Sequence, residues 1–580
     1  MTTPQLRRFV QRLAPPPAVR RVDLRRILAS GDRKANARDV SSTPHSTPYS
    51  GTRAALASFA LTVLAIGAAW WWLGRPVKLP PSPIAAGNKL YCVSYAPFRG
   101  AQNPLVEGTH GVPAQIDADL ALISRYSKCV RTYSTEDGLG HVLASARRHG
   151  MKVLHGLWLS NKTEKNRRQI ATTIALAKEY RDVIGAIVVG NEVLLRGEMS
   201  TTDLIAILRE VKAQVPEPIT YADVWEYWLR YPEIANAVDF ITIHILPYWE
   251  DFPVPATHAA AHVAAIRAKV AAAFPGKAIV IGEFGWPRAG RMRESARPSP
   301  SNQARAVIDT LALARHQHFR VNIIEAFDQP WKRALEGAVG GYWGIFDRGT
   351  GAPTFAGAVS DHPHWPFEAL AGILLAALTF AAAYLGGRAK GVPDALWPKI
   401  AALTFLPAVL FGWTAETVPA ESFSLGSWLR SLAFAAIAAA APVACAAAFA
   451  CGRPVPVFAA LLGGSGKRHD GLDWALGSTL AALMLVSVEA ALGLVFDPRY
   501  RDLPFAPLTA AAVPYLLLTI STPRPAGPRA MAETVAAAVA ALSAGYIAFN
   551  EGFANWQAIW FCAGLLVLAF ILERVRDAPS

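Results

Sequence analysis

Ala186-Ile187-Val188-Val189-Gly190-Asn191-Glu192-Val193 and Ala278-Ile279-Val280-Ile281-Gly282-Glu283-Phe284-Gly285-Trp286-Pro287 decide how this chain is read. Each begins as an apolar, β-branched run, the pattern of a parallel strand buried on both faces. Each then reaches a glycine and, within two residues, a glutamate. In a β/α alternation, a carboxylate just past the C-terminal end of a strand lies where barrel enzymes keep their chemistry.

The alternation is present on both sides of these runs. Between residues 75 and 365, strand-like runs occur at Leu90–Tyr95, Cys129–Tyr133, Lys152–Leu157, Gly185–Val189, Ile219–Tyr221, Phe240–Ile243, Ala278–Ile281 and Val321–Glu325. Helical stretches such as Gln115–Ser127, Gly138–His149, Asn166–Tyr180, Thr202–Ala213 and His258–Ala273 separate them. Eight units in about 280 residues fit a closed (β/α)8 TIM barrel. An open doubly wound sheet is the alternative, but no Gly-x-Gly-x-x-Gly turn follows the first strand.

Counting strands puts Glu192 after the fourth and Glu283 after the seventh. Two carboxylates across a barrel mouth are what a retaining glycosidase needs, one as acid/base and one as nucleophile. Ion pairs at the barrel rim are the plainer alternative. The neighbouring residues add to the first reading: Gly190-Asn191-Glu192-Val193, Glu283-Phe284-Gly285-Trp286-Pro287, Val130-Arg131-Thr132-Tyr133, His244-Ile245-Leu246-Pro247-Tyr248-Trp249, Glu325 to Glu336 with Asp328, Trp331 and Lys332 between, and Gly341 to Phe346. Taken in chain order, over residues 88–350, they resemble the motifs of glycoside hydrolase family 17, the β-1,3-glucanases.

That resemblance implies retaining cleavage of β-glucosidic bonds, with Glu192 as acid/base and Glu283 as nucleophile. It places Asn191 and His244 against sugar hydroxyls. Asp328, Lys332 and Glu336 either form a structural ion network or hold sugar hydroxyls and tune the nucleophile. Tyr95, Tyr133, Tyr248, Phe284, Trp286 and Trp343 stand as candidate sugar contacts, because sugar rings lie on aromatic faces. Core packing is the competing role for such rings, and Trp225 and Trp228 stay undecided. The acid/base carboxyl is expected to have a raised pKa. No cofactor and no metal site is expected, since the 13 His show no ligand cluster. Cys92 and Cys129 are expected as buried free thiols, neighbouring barrel strands being poorly placed for a disulfide.

The rest of the chain is of another kind. Of 580 residues only 17% are charged, and mean hydropathy is +0.25, values that point to membrane spans. Residues 1–53 carry eleven Lys or Arg against three Asp or Glu and read as a basic, disordered cytoplasmic tail. No nucleic-acid partner is needed, because the anchor at 54–74, ending in Trp70-Trp71-Trp72, explains the charge. Apolar segments recur at 367–386, 398–416, 431–450, 473–496, 506–522, 531–549 and 555–572 within a polytopic region at 366–580. Alternating Lys/Arg-rich connections then predict eight spans, with both termini in the cytoplasm and the 75–365 barrel outside it, which the resemblance given below would make the periplasmic side of a bacterial inner membrane. The 398–416 span is the weakest, and Glu489 lies inside an apolar span. No nucleotide-sugar transferase module or phosphate-binding loop is present. The expected partners are therefore a β-glucan chain, the lipid bilayer and a separate membrane glucan synthase. Membrane-held family-17 domains resemble proteins of bacterial β-1,3/1,6-glucan and cyclic-glucan biosynthesis that act as transglycosylases. Hydrolysis, and a glucan-export or flippase role with a barrel that only binds glucan, stay open at this point.

Overall fold

The computed structural model describes residues 50–576 apart from 85–87, 389–390, 459, 465–468, 524–526 and 528–529. Most of the basic tail, together with Lys390, Lys467, Arg468, Arg524 and Arg529, lies outside the described residues.

Eight parallel strands close into a barrel in sequence order. They are β1 (Cys92–Ser94), β2 (Cys129–Arg131), β3 (Lys152–Leu157), β4 (Ile184–Asn191), β5 (Ile219–Val224), β6 (Ile241–His244), β7 (Ile279–Phe284) and β8 (Arg320–Ile323). Val93 pairs with Val130 on one side and Ile323 on the other, so β1 bridges β2 and β8 and closes the cylinder. After the N-terminal helix α1 (Ser50–Leu73), the barrel helices are α2 (Pro113–Ile123), α3 (His141–Arg148), α4 (Thr163–Glu179), α5 (Thr201–Lys212), α6 (Trp225–Arg230), α7 (Ala259–Ala273), α8 (Pro300–His316) and the one-turn α9 (Arg333–Glu336). Local chemistry sets their starts: Ser200 Oγ accepts from Asp203 N at the head of α5, and Ser299 does the same for α8, which opens on Pro300. The main core lies between strands and helices and is built from Ile, Val and Leu, with Val189, Ile243 and Ile281 fully buried.

Cys92 and Cys129 form a disulfide, contrary to the expectation of free thiols. The register explains it. The two residues open the adjacent strands β1 and β2, directly across from each other, with Cα atoms 4.4 Å apart. That is within the range a disulfide spans.

The C-terminal region is a bundle of α10 (Trp365–Gly387), α11 (Trp397–Glu421), α12 (Leu425–Cys451), α13 (Gly471–Phe496), α14 (Phe505–Ser521), α15 (Met531–Glu551) and α16 (Trp556–Arg574). Among the described residues, seven helices, α1 included, are long and apolar enough to cross a membrane. The eighth, α14, has 17 residues; at about 1.5 Å per residue it is somewhat shorter than a hydrocarbon core of about 30 Å. The 398–416 segment is longer than the sequence indicates, running on through Glu416 to Glu421. The Glu416 carboxylate is 2.7 Å from His362 Nδ1, so this charge is partnered rather than terminating the helix. Glu489 is half-exposed, 3.5 Å from Arg501 and 4.0 Å from Arg430.

Barrel and bundle meet along the helix ends. Arg291, in the loop after β7, pairs with Glu551 and donates to the carbonyls of Pro498 and Arg501. Asn555 Nδ2 donates to Met292 O, and Met292 N donates to Gln557 Oε1. Arg333 and Tyr342 reach the carbonyl of Ala420 at the end of α11. The 497–504 connection therefore packs on the barrel, with Tyr500 against Trp249.

Candidate active site

Strand β4 ends in two left-handed residues. Gly190 has φ +85° and Glu192 has φ +50°. Glycine adopts that region freely; a glutamate there costs about 1 kcal/mol. The turn lifts Glu192 to the mouth, anchored by its own N–H to Ala222 O. On β7, Gly282 is required by close approach. A Cβ there would collide with Thr242 and lie 3.2 Å from Arg131 Nη1 and 3.1 Å from His244. Its absence lets the Arg131 guanidinium reach Gly282 O at 2.7 Å and sit beside Glu283.

The Glu192, His244 and Glu283 ligand atoms lie within 4.8 Å of one another, so an oxygen of one carboxylate is that close to an oxygen of the other. Retaining glycosidases hold their carboxyls about 5–5.5 Å apart and inverting ones roughly 6.5–9.5 Å. His244 stands between the two, with Nδ1 2.6 Å from Glu192 Oε1 and Nε2 3.7 Å from Glu283 Oε1. A His with two carboxylates is also a possible metal-ligand set, which the sequence did not suggest. Here the three are engaged with one another and with the guanidinium of Arg131, which is 3.4 Å from Glu283.

Glu283 is 5% exposed and is held by a chain of donors. Asn322 Nδ2 donates to Ser94 Oγ at 2.8 Å, Ser94 lies 2.7 Å from the Tyr133 hydroxyl, and Tyr133 donates to Glu283 Oε1 at 2.8 Å. Burial and the charge of Glu283 hold the Tyr133 phenol well above its ordinary pKa, so it remains a donor. Arg131, 1% exposed, donates to Asn191 Oδ1 at 2.6 Å and lies over the Tyr133 ring.

Glu192 does not have the raised pKa expected of it. Burial pushes it up, but the His244 hydrogen bond and charge, with Arg131 and Arg196, outweigh burial and hold it below the ordinary value. The raised acids are its neighbours: burial lifts Asp223 to about 6, with the charge of Glu192 adding to it, and lifts Glu325 to about 7 against the pull of Lys332. Lys332 Nζ is 2.8 Å from Glu325 Oε2. Glu336 is raised by burial and by the charges of both Glu192 and Glu283, so it lies near the pair.

Among the remaining expected residues, the structure separates mouth from frame. Asp328 is bound to Arg288 and accepts from Gly344 N, tying two loops together rather than facing the carboxylates. Tyr95 donates to Asp119 Oδ2 at 2.9 Å, in a cluster with Arg99 and Arg348. Phe284 is fully buried in the apolar core. Trp286 is also fully buried, its indole N–H committed to Arg297 O. Tyr248 donates to Arg291 O and packs edge-on to Trp286 and Trp343. These four rings are framework because backbone and core partners take up their polar atoms and faces. Trp343 differs: it lies behind Gly285, and its indole nitrogen is buried with no hydrogen-bond partner. Trp228 is core, donating to Thr242 O, whereas Trp225 lies at the rim beside Glu250 and Lys269. Arg131 and Glu325 are the residues that reading for site roles passed over. Both stand in the quoted motifs, and a buried cation and a buried acid at strand ends were the available signal.

Residues 92–344, from β1 to just past β8, match the family model described as the BtgE/BtgC glycoside hydrolase domain. The glycoside hydrolase likeness thus covers the barrel and not the bundle. A probable beta-glucosidase btgE of Aspergillus fumigatus is 27% identical over 234 residues, 39% of this chain and 40% of that protein. The chain thus spans about two-fifths of the length of such curated relatives. A glucan 1,3-beta-glucosidase of Arthroderma benhamiae is 25% identical over 46% of this chain and 89% of its own. Among solved structures, an active-site mutant of Rhizomucor miehei beta-1,3-glucanosyltransferase with laminaritriose is similar at 22% identity and a TM-score of 0.42, over 48% of this chain and all of that one.

Proposed function

We propose that the barrel is a retaining β-glucan transglycosylase or hydrolase held at a membrane. The observation that carries this is the approach of Glu192 and Glu283 to within 4.8 Å, from β4 and β7, inside the segment that matches a glycoside hydrolase domain. Glu283 attacks the anomeric carbon and forms a glucosyl-enzyme. Its oxygen is aimed by Tyr133 and its charge balanced by Arg131. Glu192 delivers a proton to the departing glycosidic oxygen, then removes one from the incoming hydroxyl. Its carboxylate stands 2.6 Å from His244 Nδ1, close enough for the ring to exchange that proton with it. A sugar hydroxyl as acceptor extends or branches the glucan; water shortens it. Asn191 and Trp343 face the sugar, and Lys332 with Glu325 and Glu336 sets the charge beneath it.

The division into a basic tail (1–53), anchor (54–74), barrel (75–365) and membrane region (366–580) goes with this reading. So does a barrel outside a bacterial cytoplasmic membrane with both termini inside. Lys/Arg-rich connections on one side and the Cys92–Cys129 disulfide support that orientation. Glucan biosynthesis, with a separate synthase supplying the chain, is the setting that the resemblance to membrane-held family-17 domains suggests.

The test uses the full-length chain, linear β-1,3-gluco-oligosaccharides and mass spectrometry. Products longer than the substrate mean transfer, and only shorter ones mean hydrolysis. Glu283→Gln is expected to lower turnover by on the order of 10⁴-fold, with azide rescuing Glu283→Ala as the α-glucosyl azide. Near-native rates in both variants would refute the assignment.

A further inference from the structure

Glu192 owes its place to a turn. Gly190 and Glu192 are both left-handed, and the Glu192 carboxylate is bonded to His244. The end of β5 grips that turn at three points. The buried ring of Tyr221 closes on Gly190, where a Cβ would lie 3.4 Å from two of its carbons. Ala222 O accepts from Glu192 N at 2.8 Å. The Tyr221 hydroxyl accepts from Leu194 N at 3.1 Å. Two consecutive residues of β5 therefore hold Glu192 and the chain on both sides of it.

Asp223 completes the grip. It is fully buried and both its oxygens are in use: Oδ2 accepts the Tyr221 hydroxyl proton, and Oδ1 accepts from Val224 N at 2.8 Å. A phenol has one proton to donate. Donated to Asp223, it leaves the oxygen lone pairs for the Leu194 N–H, so the carboxylate decides which way the hydroxyl faces. The other mouth residues are held by different partners. Tyr133 and Arg131 serve Glu283, and Arg131 and Arg196 serve Asn191.

We propose that Tyr221 and Asp223 are positioning residues for the acid/base. The pair fixes the 190–194 turn so that the Glu192 carboxyl reaches the departing glycosidic oxygen. The inference rests on the reading of the barrel as a retaining glycosidase. Because the pair lies outside the donor chain of Glu283, its loss falls on proton delivery and not on nucleophilic attack.

The experiment compares the full-length chain in detergent with Tyr221→Phe, which keeps the ring and removes the hydroxyl, and Asp223→Asn, which offers one acceptor where two are in use. Two substrates separate the roles. A linear β-1,3-gluco-oligosaccharide has a poor leaving group and needs the acid, whereas the dinitrophenolate of dinitrophenyl β-laminaribioside departs unaided. The constant compared is kcat/KM, which reports formation of the glucosyl-enzyme and not its later breakdown. Each variant is expected to lose on the order of 10- to 100-fold on the oligosaccharide and nothing on the dinitrophenyl glycoside. Equal losses on both overturn the proposal, since they report a loosened barrel. Unchanged values on both overturn it as well. If the native chain processes neither substrate, the glycosidase reading fails on its own, and amide hydrogen exchange decides the grip. Exchange over residues 190–196 about fivefold faster in Tyr221→Phe upholds it, and native exchange there overturns it.

Discussion

Barrel and bundle bury their chains by opposite means. The barrel core is made of large branched side chains, and polar groups gather inside it at one end, where Arg131, Tyr133, Asn191, His244 and Glu283 satisfy one another. The bundle core is rich in alanine: α12 buries Ala438, Ala441, Ala444, Ala446 and Ala448. In lipid there is little hydrophobic drive between helices, so small residues that let backbones approach do the packing. Several of the bundle's ionisable groups, Glu421, Arg430, Glu489, Arg501, Asp502 and Glu551, stand near helix ends on the barrel side. The contrast teaches that charge in this molecule marks chemistry at the strand ends and contact where the two regions meet.

The largest effect should come from removing the charge that the barrel is built around. Arg131→Met takes the buried cation from Glu283 and the donor from Asn191 Oδ1, while Tyr133 still serves Glu283 and Asn322 still serves Gly282 O, a loss of about 3–5 kcal/mol. Arg131→Lys should recover part of it only, since a single ammonium cannot serve the partners that the planar fork serves. Thermal unfolding followed by tryptophan fluorescence should show an early barrel transition with helical circular dichroism mostly retained. A native midpoint in Arg131→Met would mean that the network does not hold the mouth together.

His155 offers a second way to separate the regions. It lies on β3, 1% exposed, and neither ring nitrogen has a hydrogen-bond partner. Burial lowers its pKa from 6.5 to about 4. The unfolded chain therefore takes up a proton below about pH 6.5 that the folded barrel refuses until about pH 4, and stability is lost as pH falls through that window, by about 3 kcal/mol in full. Asp223 and Glu325, whose folded pKa values are raised, act in the opposite direction, so the native curve alone mixes the two. The difference between native protein and His155→Met isolates the histidine. Its barrel transition should lose ground to the variant steadily from pH 6.5 to 4, and parallel curves would refute the assignment.

These residues also show what was legible in the sequence. All eight strands could be read, because short apolar runs rich in β-branched residues are a local pattern. Glu192, His244 and Glu283 could be found because a strand end fixes where its last residues point. The aromatic residues could not be sorted. Whether Tyr95 or Trp286 faces sugar or core depends on partners far along the chain, Asp119 and Arg297. The Cys92–Cys129 bond depended on the register of two three-residue strands, which composition does not carry. In the bundle, hydropathy yielded the helices and their order.

The smallest effect tests the packing half of the contrast. Helices α10 and α11 cross at Gly372, where a Cβ would lie 2.5 Å from the carbonyl oxygen of Ala408 and 3.3 Å from Ile66 of α1. Facing it, a Cβ on Gly412 would collide with the carbonyl of Glu368. Backbone oxygens cannot rotate away as a flexible side chain would, so even Gly372→Ala must push the helices apart. The cost expected is about 1–3 kcal/mol, confined to the bundle. In detergent, the variant should lose helical circular dichroism at a lower temperature than the native chain, while turnover of a short oligosaccharide below that temperature is unchanged. Activity that falls in step with bundle stability would break the comparison. It would mean that the barrel mouth is held in shape through Arg291, Arg333 and Asn555, and that the two regions unfold as one.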